Sequence, residues 1–395
     1  MNKVVITGMG MVSPLGLDTE TSWESLKAGV GVRQPIDLFE TEGCRCREGA
    51  QVDLPQADRS ERRLSRASRL AIMAAKEAMR QACLNDRPFP QNFPLCVSTT
   101  GGAMEWGETF LRGALAVKPD CKLAHVARYH PQQQVIDLQH ALGVEGPVTM
   151  IGNACASGAN AIGHGFDLIR SELADCVMVG GYEAMTELIF MGFDCLQALS
   201  VDCCRPFDLY RNGLMLGEGA AFLVLESEKH AQTRSANILG RILGYGHAMD
   251  LHHLTQPSPH GQALITAMQN ALAGAEVEPH QITYINAHGT GTPANDQAEA
   301  LSYIGVFGES LPEIAVSSTK AAIGHTLGAA GGLETVFTLC AARECMAPPQ
   351  LHNQSPLPEV AKSLAGINRT LKKGQPVMSV NLGFGGSNAA LVLSL

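Results

Sequence analysis

The chain has 395 residues, 45% hydrophobic and 17% charged, enough to bury a large core in one or two closely packed domains. A formal net charge of −9 argues against non-specific nucleic-acid binding. No apolar run reaches membrane-spanning length and the N-terminus lacks a signal peptide's cleavage pattern, so a cytoplasmic protein with no membrane span is expected.

The first predicted strand covers residues 4–7 and runs into TGMGMVSPLG. That segment invites a dinucleotide-binding reading, which fails: Gly8-x-Gly10-x-x-Ser13 lacks the third glycine, and Pro14 disrupts the helix that would receive a pyrophosphate. Residues 58–79 set Arg59, Arg62, Arg63, Arg66 and Arg69 against a stripe of Leu64, Ala67, Ala71, Ala74 and Ala78. This is a basic helix face on an acidic protein, and alone it reads as a solvated surface. Further strands are expected at 95–99, 148–151, 176–179, 221–225, 283–286, 314–316, 377–380 and 389–393. Helices lie between them, among them 158–173, where Ala159, Ile162, Phe166 and Ile169 recur at helical spacing, and 261–273. Such alternation argues for an α/β protein with buried sheets. The polar stretch SEKHAQTRSAN places a seam near 230–250, and no repeat is obvious at the residue level. The twelve cysteines include no CxxC pair and no Cys/His ligand spacing, so neither a metal site nor a disulfide framework is expected.

One cysteine stands apart. In VTMIGNACASGANAIGHG (148–165) a short strand and a small-residue turn deliver Cys155 to the first turn of a helix, where unpaired N–H groups and the helix dipole favour a thiolate. A buried structural cysteine fits the same segment. Two distant histidine segments decide between them. YINAHGTGTPANDQAE (284–299) delivers His288 into a glycine and threonine loop, and VSSTKAAIGHTLGAAGGLE (316–334) flanks a glycine turn with Lys320 and His325 before a helix bearing Glu334. One cysteine with two such histidines fits an activated nucleophile with separate hydrogen-bonding partners.

The opening VVITGMGMVSPLG, the Cys155 segment, CRPFD (204–208), GLMLGEGAAFLVLE (213–226), NAHGTGTP, SSTKAAIGHTLGAAGG and GFGGSNAALVL together resemble the β-ketoacyl-acyl carrier protein synthase II type of condensing enzyme. The motifs occur in family order from residue 4 to residue 393. The resemblance implies a thiolase-like fold, two similar halves in α-β-α-β-α layers, divided here as 1–240 with the cysteine and 241–395 with the histidines. It also implies Claisen condensation with malonyl-acyl carrier protein, and no cofactor beyond the phosphopantetheine on which the carrier presents substrates. The expected partners are acyl carrier protein and a second subunit, either the same chain or a ketosynthase-like chain-length factor.

By the same resemblance Cys155 holds the acyl chain, while His288 and His325 hydrogen-bond the malonyl carbonyl as enolate charge develops. The backbone N–H groups of Cys155 and Phe384 hold the oxyanion. Lys320 and Glu334 form a charge pair that either sets the local field or only orders its loop. Thr290 and Thr292 contact the pantetheine arm or cap turns. Phe384 gates the acyl side from the malonyl side, and Arg62, Arg63 and Arg66 dock the carrier. The chain departs from the family at Leu382, where a second phenylalanine is usual, and at Trp106, which is either a wall of the acyl pocket or a core or interface aromatic. A degradative thiolase would need a cysteine in the C-terminal glycine loop, which reads NLGFGGSN, and a non-catalytic chain-length subunit would lack Cys155. The remaining choice is between a fatty-acid elongase and a specialised polyene, aryl polyene or polyketide synthase.

Overall fold

The apolar runs pair into one mixed sheet whose central strands are buried on both faces. The computed structural model describes residues 2–59, 61–85, 92–116 and 122–395. The sheet has ten strands: β1 (Val4–Val12), β2 (Leu95–Ser98), β3 (Val148–Ile151), β4 (Cys176–Glu183), β5 (Gly219–Ser227), β6 (Gly240–Met249), β7 (Tyr284–Asn286), β8 (Ala315–Ser317), β9 (Val377–Leu382) and β10 (Ser387–Ser394). Their order is β8-β7-β9-β10-β6-β1-β5-β4-β2-β3. In the first five, β1 pairs with β5 and β5 with β4 antiparallel, then β4 with β2 and β2 with β3 parallel. The last five repeat this scheme, β6 with β10 and β10 with β9 antiparallel, then β9 with β7 and β7 with β8 parallel. The halves join where Val4, Val5 and Ile6 of β1 face Ile242, Arg241 and Gly240 of β6.

The helices that matter for the site are α1 (Arg66–Gln81), α2 (Met104–Leu115), α3 (Leu123–Tyr129), α4 (Pro131–Leu142), α5 (Ser157–Arg170), α6 (Glu187–Cys195), α7 (Gln262–Ala275), α8 (Pro293–Phe307) and α9 (Ala330–Glu344). α5 and α9 pack against each other and against strands of both halves, so they form the middle layer. α1, backed by α4, covers the outer face of the first half, and α7, backed by α8, covers that of the second. The result is the expected succession of helix, sheet, helix, sheet, helix.

Small residues set these distances. A Cβ at Gly8 of β1 would lie 2.9 Å from Ala82 Cβ, and one at Gly10 would lie 2.6 Å from the Ala78 nitrogen, so α1 rests directly on the strand. The GxG that suggests a nucleotide loop is therefore a packing surface. β6 repeats the device: a Cβ at Gly244 would meet Ala275 Cβ at 2.9 Å and one at Gly246 the Ala271 nitrogen at 2.5 Å. Ala74, Ala78 and Ala82 in one half and Ala267, Ala271 and Ala275 in the other recur every fourth residue, which keeps one helix face bare enough for that contact. A residue-level repeat thus exists where none was obvious. The same glycines hide β6 from a strand reading, and the seam region holds the end of a short helix, Glu228–Thr233, and then this ten-residue strand.

In the middle layer α5 and α9 touch backbone to backbone. A Cβ at Gly158 would lie 2.9 Å from the nitrogens of both Gly331 and Gly332. Both glycines stand in the first turn of their helices, so the contact brings the two N-terminal ends together.

Candidate active site

β3 ends at Ile151, and the chain turns into a 3-10 segment, Ala154–Ala156, with Cys155 at its centre and α5 directly after it. Ala154 has φ of 59°, a left-handed conformation that costs about 1–3 kcal/mol in a non-glycine residue. Hydrogen bonds hold it there: Asn153 N–H donates to Ser157 Oγ at 2.9 Å, and the Asn153 and Asn160 side-chain amides donate to Ser387 Oγ at 3.0 and 3.1 Å. The C-terminal glycine loop lies on this turn, where a Cβ at Gly383 would come within 3.3 Å of the Cys155 nitrogen. The backbone N–H groups of Phe384 and Cys155 and the positive charge of Lys320 all favour the thiolate, but burial outweighs them and pushes the Cys155 thiol up to about 12. The expected resting thiolate is therefore corrected: at neutral pH Cys155 carries its proton.

His288 follows β7, and His325 lies beyond β8 on the turn before α9. Their rings meet edge to face, with centroids 5.2 Å apart. Burial first, and then the charge of Lys320, hold both imidazoles well below the usual histidine range, so both are neutral at physiological pH. Leu327 N–H donates to His325 Nδ1 at 3.3 Å, which leaves the His325 proton on Nε2 as a donor. His288 Nδ1 is buried and has no protein partner. Lys320 Nζ is ion-paired with Glu334, both 1% exposed, and Glu334 Oε2 also accepts from Asn381 Nδ2 at 2.6 Å. The charge of Lys320 acts on Cys155 and on both histidines.

Cys155, His288 and His325 line one cavity of about 350 Å³ together with Thr290, Thr292 and Phe384. The Thr290 and Thr292 hydroxyls lie 2.9 Å apart. Thr292 occupies the N-cap position of α8, yet its side chain makes no cap hydrogen bond. Phe384 stacks on Phe193 of α6 with centroids 5.7 Å apart, and Leu382, also on the cavity, is buried.

Two other residues stand apart from this cavity. Trp106 does not line this cavity. It sits on α2 against α3, with the Arg128 guanidinium 4.8 Å from its ring centroid and the His125 ring 5.1 Å away. Arg66 is not a free surface cation either. Its guanidinium reaches Glu218 at 2.5 and 2.8 Å and the Val52 carbonyl at 2.6 Å, and Glu218 is fully buried. Arg62 and Arg63 are exposed on the turn Glu61–Arg63 before α1.

Carboxylates that the sequence reading left without a role build the histidine loop. Glu299 accepts from His288 N–H at 2.7 Å, Gly289 N–H at 2.8 Å and Tyr303 Oη at 2.6 Å. Asp296 accepts from Thr290 N–H at 3.1 Å and Phe207 N–H at 2.8 Å. Their spacing, i and i+3 on the helix that follows the loop, is the only sequence signal for the pair. Among the described residues one grouping, Cys176, Glu226 and His230, has the spacing to hold a metal ion. Its Glu226 is already ion-paired with Arg234 and hydrogen-bonded to Thr7, which leaves no arrangement suited to a cation. No helix of the described residues is long and apolar enough to cross a membrane.

Residues 1–231 match the β-ketoacyl synthase N-terminal domain family and residues 239–354 the β-ketoacyl synthase C-terminal domain family. The chain is 36% identical to 3-oxoacyl-[acyl-carrier-protein] synthase 2 of Staphylococcus aureus (strain COL), over 99% of this chain and 97% of that one. Among solved structures, the ishigamide ketosynthase/chain length factor superposes with a TM-score of 0.92 at 30% identity, covering 100% of this chain and 99% of that one. A type II PKS acyl-carrier protein in complex with its ketosynthase, bound to the hexaketide, contains a chain that superposes with a TM-score of 0.90 at 27% identity, covering 100% and 99%.

Neutral histidines predict a specific pH profile for any carbonyl chemistry in this cavity. A histidine held below its usual range stays uncharged as pH falls through 6.5, so the rate of malonyl thioester decarboxylation should stay flat there. Replacing the ion pair together, Lys320→Met with Glu334→Gln, removes the charge that depresses both imidazoles and should move the acid limb to higher pH. A wild-type profile that loses rate with its midpoint at 6.5 would contradict this.

Proposed function

The chain belongs to the β-ketoacyl synthase family, and from that membership we propose how its residues divide the work of decarboxylative condensation with malonyl-acyl carrier protein, the elongation step of fatty-acid or type II polyketide synthesis. The observation that carries this is the convergence of Cys155, His288 and His325 on one cavity. Cys155 sulfur attacks the acyl carbonyl, the bond to the carrier sulfur breaks, and the carrier leaves as its thiol with the proton that Cys155 held. Burial of that proton in the resting enzyme suits this sequence, since it leaves the site only with the leaving thiol.

Malonyl carrier then enters, and cleavage of its carboxylate bond releases carbon dioxide and leaves the electron pair as an enolate. His325 Nε2–H and His288 stabilise the enolate oxygen as neutral donors, the geometry in which preorganised hydrogen bonds lower a barrier most. The enolate carbon attacks the acyl-Cys155 carbonyl. The N–H groups of Cys155 and Phe384 receive the oxyanion, its collapse breaks the carbon–sulfur bond and returns Cys155 as a thiolate, and a proton taken up from solvent water restores the resting thiol. Thr290 and Thr292 hydrogen-bond the pantetheine arm, and Phe384 separates the acyl and malonyl sides from its stack on Phe193. Arg62 and Arg63 offer the acidic carrier a basic approach, without Arg66.

A partner subunit is supported by Leu111 and Leu115 of α2, Leu123 of α3 and Ile136 of α4, all exposed, and by β3 at the sheet edge. The likeness to a ketosynthase/chain length factor structure favours pairing with a homologue in a specialised pathway as the second reading. Native mass of the chain expressed alone separates the two: a dimer supports self-pairing, and a monomer that dimerises only with a cysteine-lacking homologue supports the other.

Intact-mass measurement of the acyl adduct tests the chemistry. Wild type incubated with acyl carrier thioester should gain one acyl group, and Cys155→Ala none, because alanine removes only the sulfur from a turn of small residues. An adduct that persists on Cys155→Ala would overturn the assignment. In the same assay Arg62→Glu with Arg63→Glu should slow acylation by the carrier, with less dependence on salt, and leave acylation by free pantetheine thioester unchanged. Equal slowing with both donors would remove the docking role.

A further inference from the structure

Glu183 closes β4 and is 1% exposed, and the mechanism above gives it no part. Its Oε1 accepts from Gly101 N–H at 2.7 Å, Gly102 N–H at 3.2 Å and Thr99 Oγ1 at 3.2 Å. Its Oε2 accepts from Thr100 N–H at 2.7 Å and Gly328 N–H at 2.9 Å. Thr99 to Gly102 form the turn after β2 in the first half of the fold. Gly328 belongs to the second half, next to the Leu327 whose N–H fixes His325 Nδ1.

These turns meet with no space between them. A Cβ at Gly328 would lie 2.6 Å from the Thr99 carbonyl carbon and the Thr100 nitrogen, and Ser98 Oγ donates to the Gly328 carbonyl at 2.9 Å. Five donors converge on one side chain, and a carboxylate is the group that accepts them all, because an amide would turn its own N–H bonds toward at least two of them. Three other buried acids described above have a cation, Arg66 for Glu218, Arg234 for Glu226 and Lys320 for Glu334, while Glu299 is held by neutral donors. Among the described residues Glu183 has neutral donors only, and burial raises its pKa against their pull.

Resting on the condensation reading, we propose that Glu183 is a positioning residue: one carboxylate fixes the His325 turn of the second half against the 99–102 turn of the first, and so sets His325 relative to Cys155. The arrangement has an electrostatic consequence. The Glu183 charge lies close enough to Cys155 to oppose ionisation of its thiol. Positioning His325 and activating Cys155 therefore pull in opposite directions at this side chain, and a substitution separates them.

The test compares Glu183→Gln and Glu183→Asp with wild type in the full-length protein. Iodoacetamide alkylation is followed at the Cys155 peptide across pH, and carbon dioxide release is followed from malonyl-pantetheine. Glu183→Gln removes the charge, so its alkylation profile should shift to lower pH while carbon dioxide release falls about 10- to 100-fold, the scale of a misplaced catalytic group. Glu183→Asp keeps the charge but is one methylene too short to reach both turns, so carbon dioxide release should fall with the alkylation profile unchanged. Parallel loss of both activities in Glu183→Gln, the mark of a merely structural residue, would overturn the proposal. So would undiminished carbon dioxide release in Glu183→Asp, which decides the matter alone if the Gln variant does not fold. Wild type that is alkylated yet releases no carbon dioxide contradicts the condensation reading itself, a result distinct from either of these.

Discussion

The contact between Gly158 of α5 and Gly331 of α9 is the constraint from which the site follows. Neither position accepts a side chain, because the space a Cβ would need is occupied by backbone of the facing helix, and interiors packed this closely do not yield it cheaply. Two helices from two halves of the chain are thereby held with their first turns in contact. Cys155 precedes one first turn by two residues, and the His325 turn leads into the other. A nucleophile and a hydrogen-bond donor separated by 170 positions in sequence share a cavity because two glycines let two backbones touch. The strand glycines Gly8, Gly10, Gly244 and Gly246 act similarly one layer out, and fix the outer helices on their sheets.

Burial then decides the charge state of what has been brought together. It drives the Cys155 thiol up and both imidazoles down, and each shift favours the neutral form. Lys320, the buried cation whose charge acts on Cys155 and both histidines, is matched by Glu334. The reacting groups are thus uncharged at rest and surrounded by oriented donors: two imidazoles and the N–H groups of Cys155 and Phe384. Such a site stabilises charge that appears only during reaction, as an enolate and then an oxyanion, without reorganising solvent at that moment. Buried carboxylates hold the donors in place. Glu299 and Asp296 bind the backbone of the His288 loop, and Glu183 binds that of the His325 turn.

Much of this was legible in the sequence, and the gaps have physical causes. Cys155, His288, His325, Lys320 and Glu334 stand in motifs whose small neighbours announce a turn, and the alternation of apolar runs announced nine of the ten strands. β6 escaped because its glycines, needed for contact with α7, interrupt the apolar run that marks a strand. Arg66 read as a surface cation because its partner, Glu218, is 152 residues away. The sequence left Trp106 open between a pocket wall and a core or interface aromatic because its neighbours, His125 and Arg128, belong to another helix. The thiolate expected at Cys155 rested on the start of a helix, which is local; the burial that defeats it is a property of the whole fold. Glu183 carries no local signal, since the N–H groups it receives come from two distant turns.

The central claim is a division of labour inside one cavity, with the cysteine serving acyl transfer and the histidines serving decarboxylation. Self-acylation and carbon dioxide release measured side by side on His288→Ala and His325→Ala test it directly. The account predicts that each variant still acquires the acyl group on Cys155 while carbon dioxide release falls sharply. Loss of self-acylation with carbon dioxide release intact would contradict it.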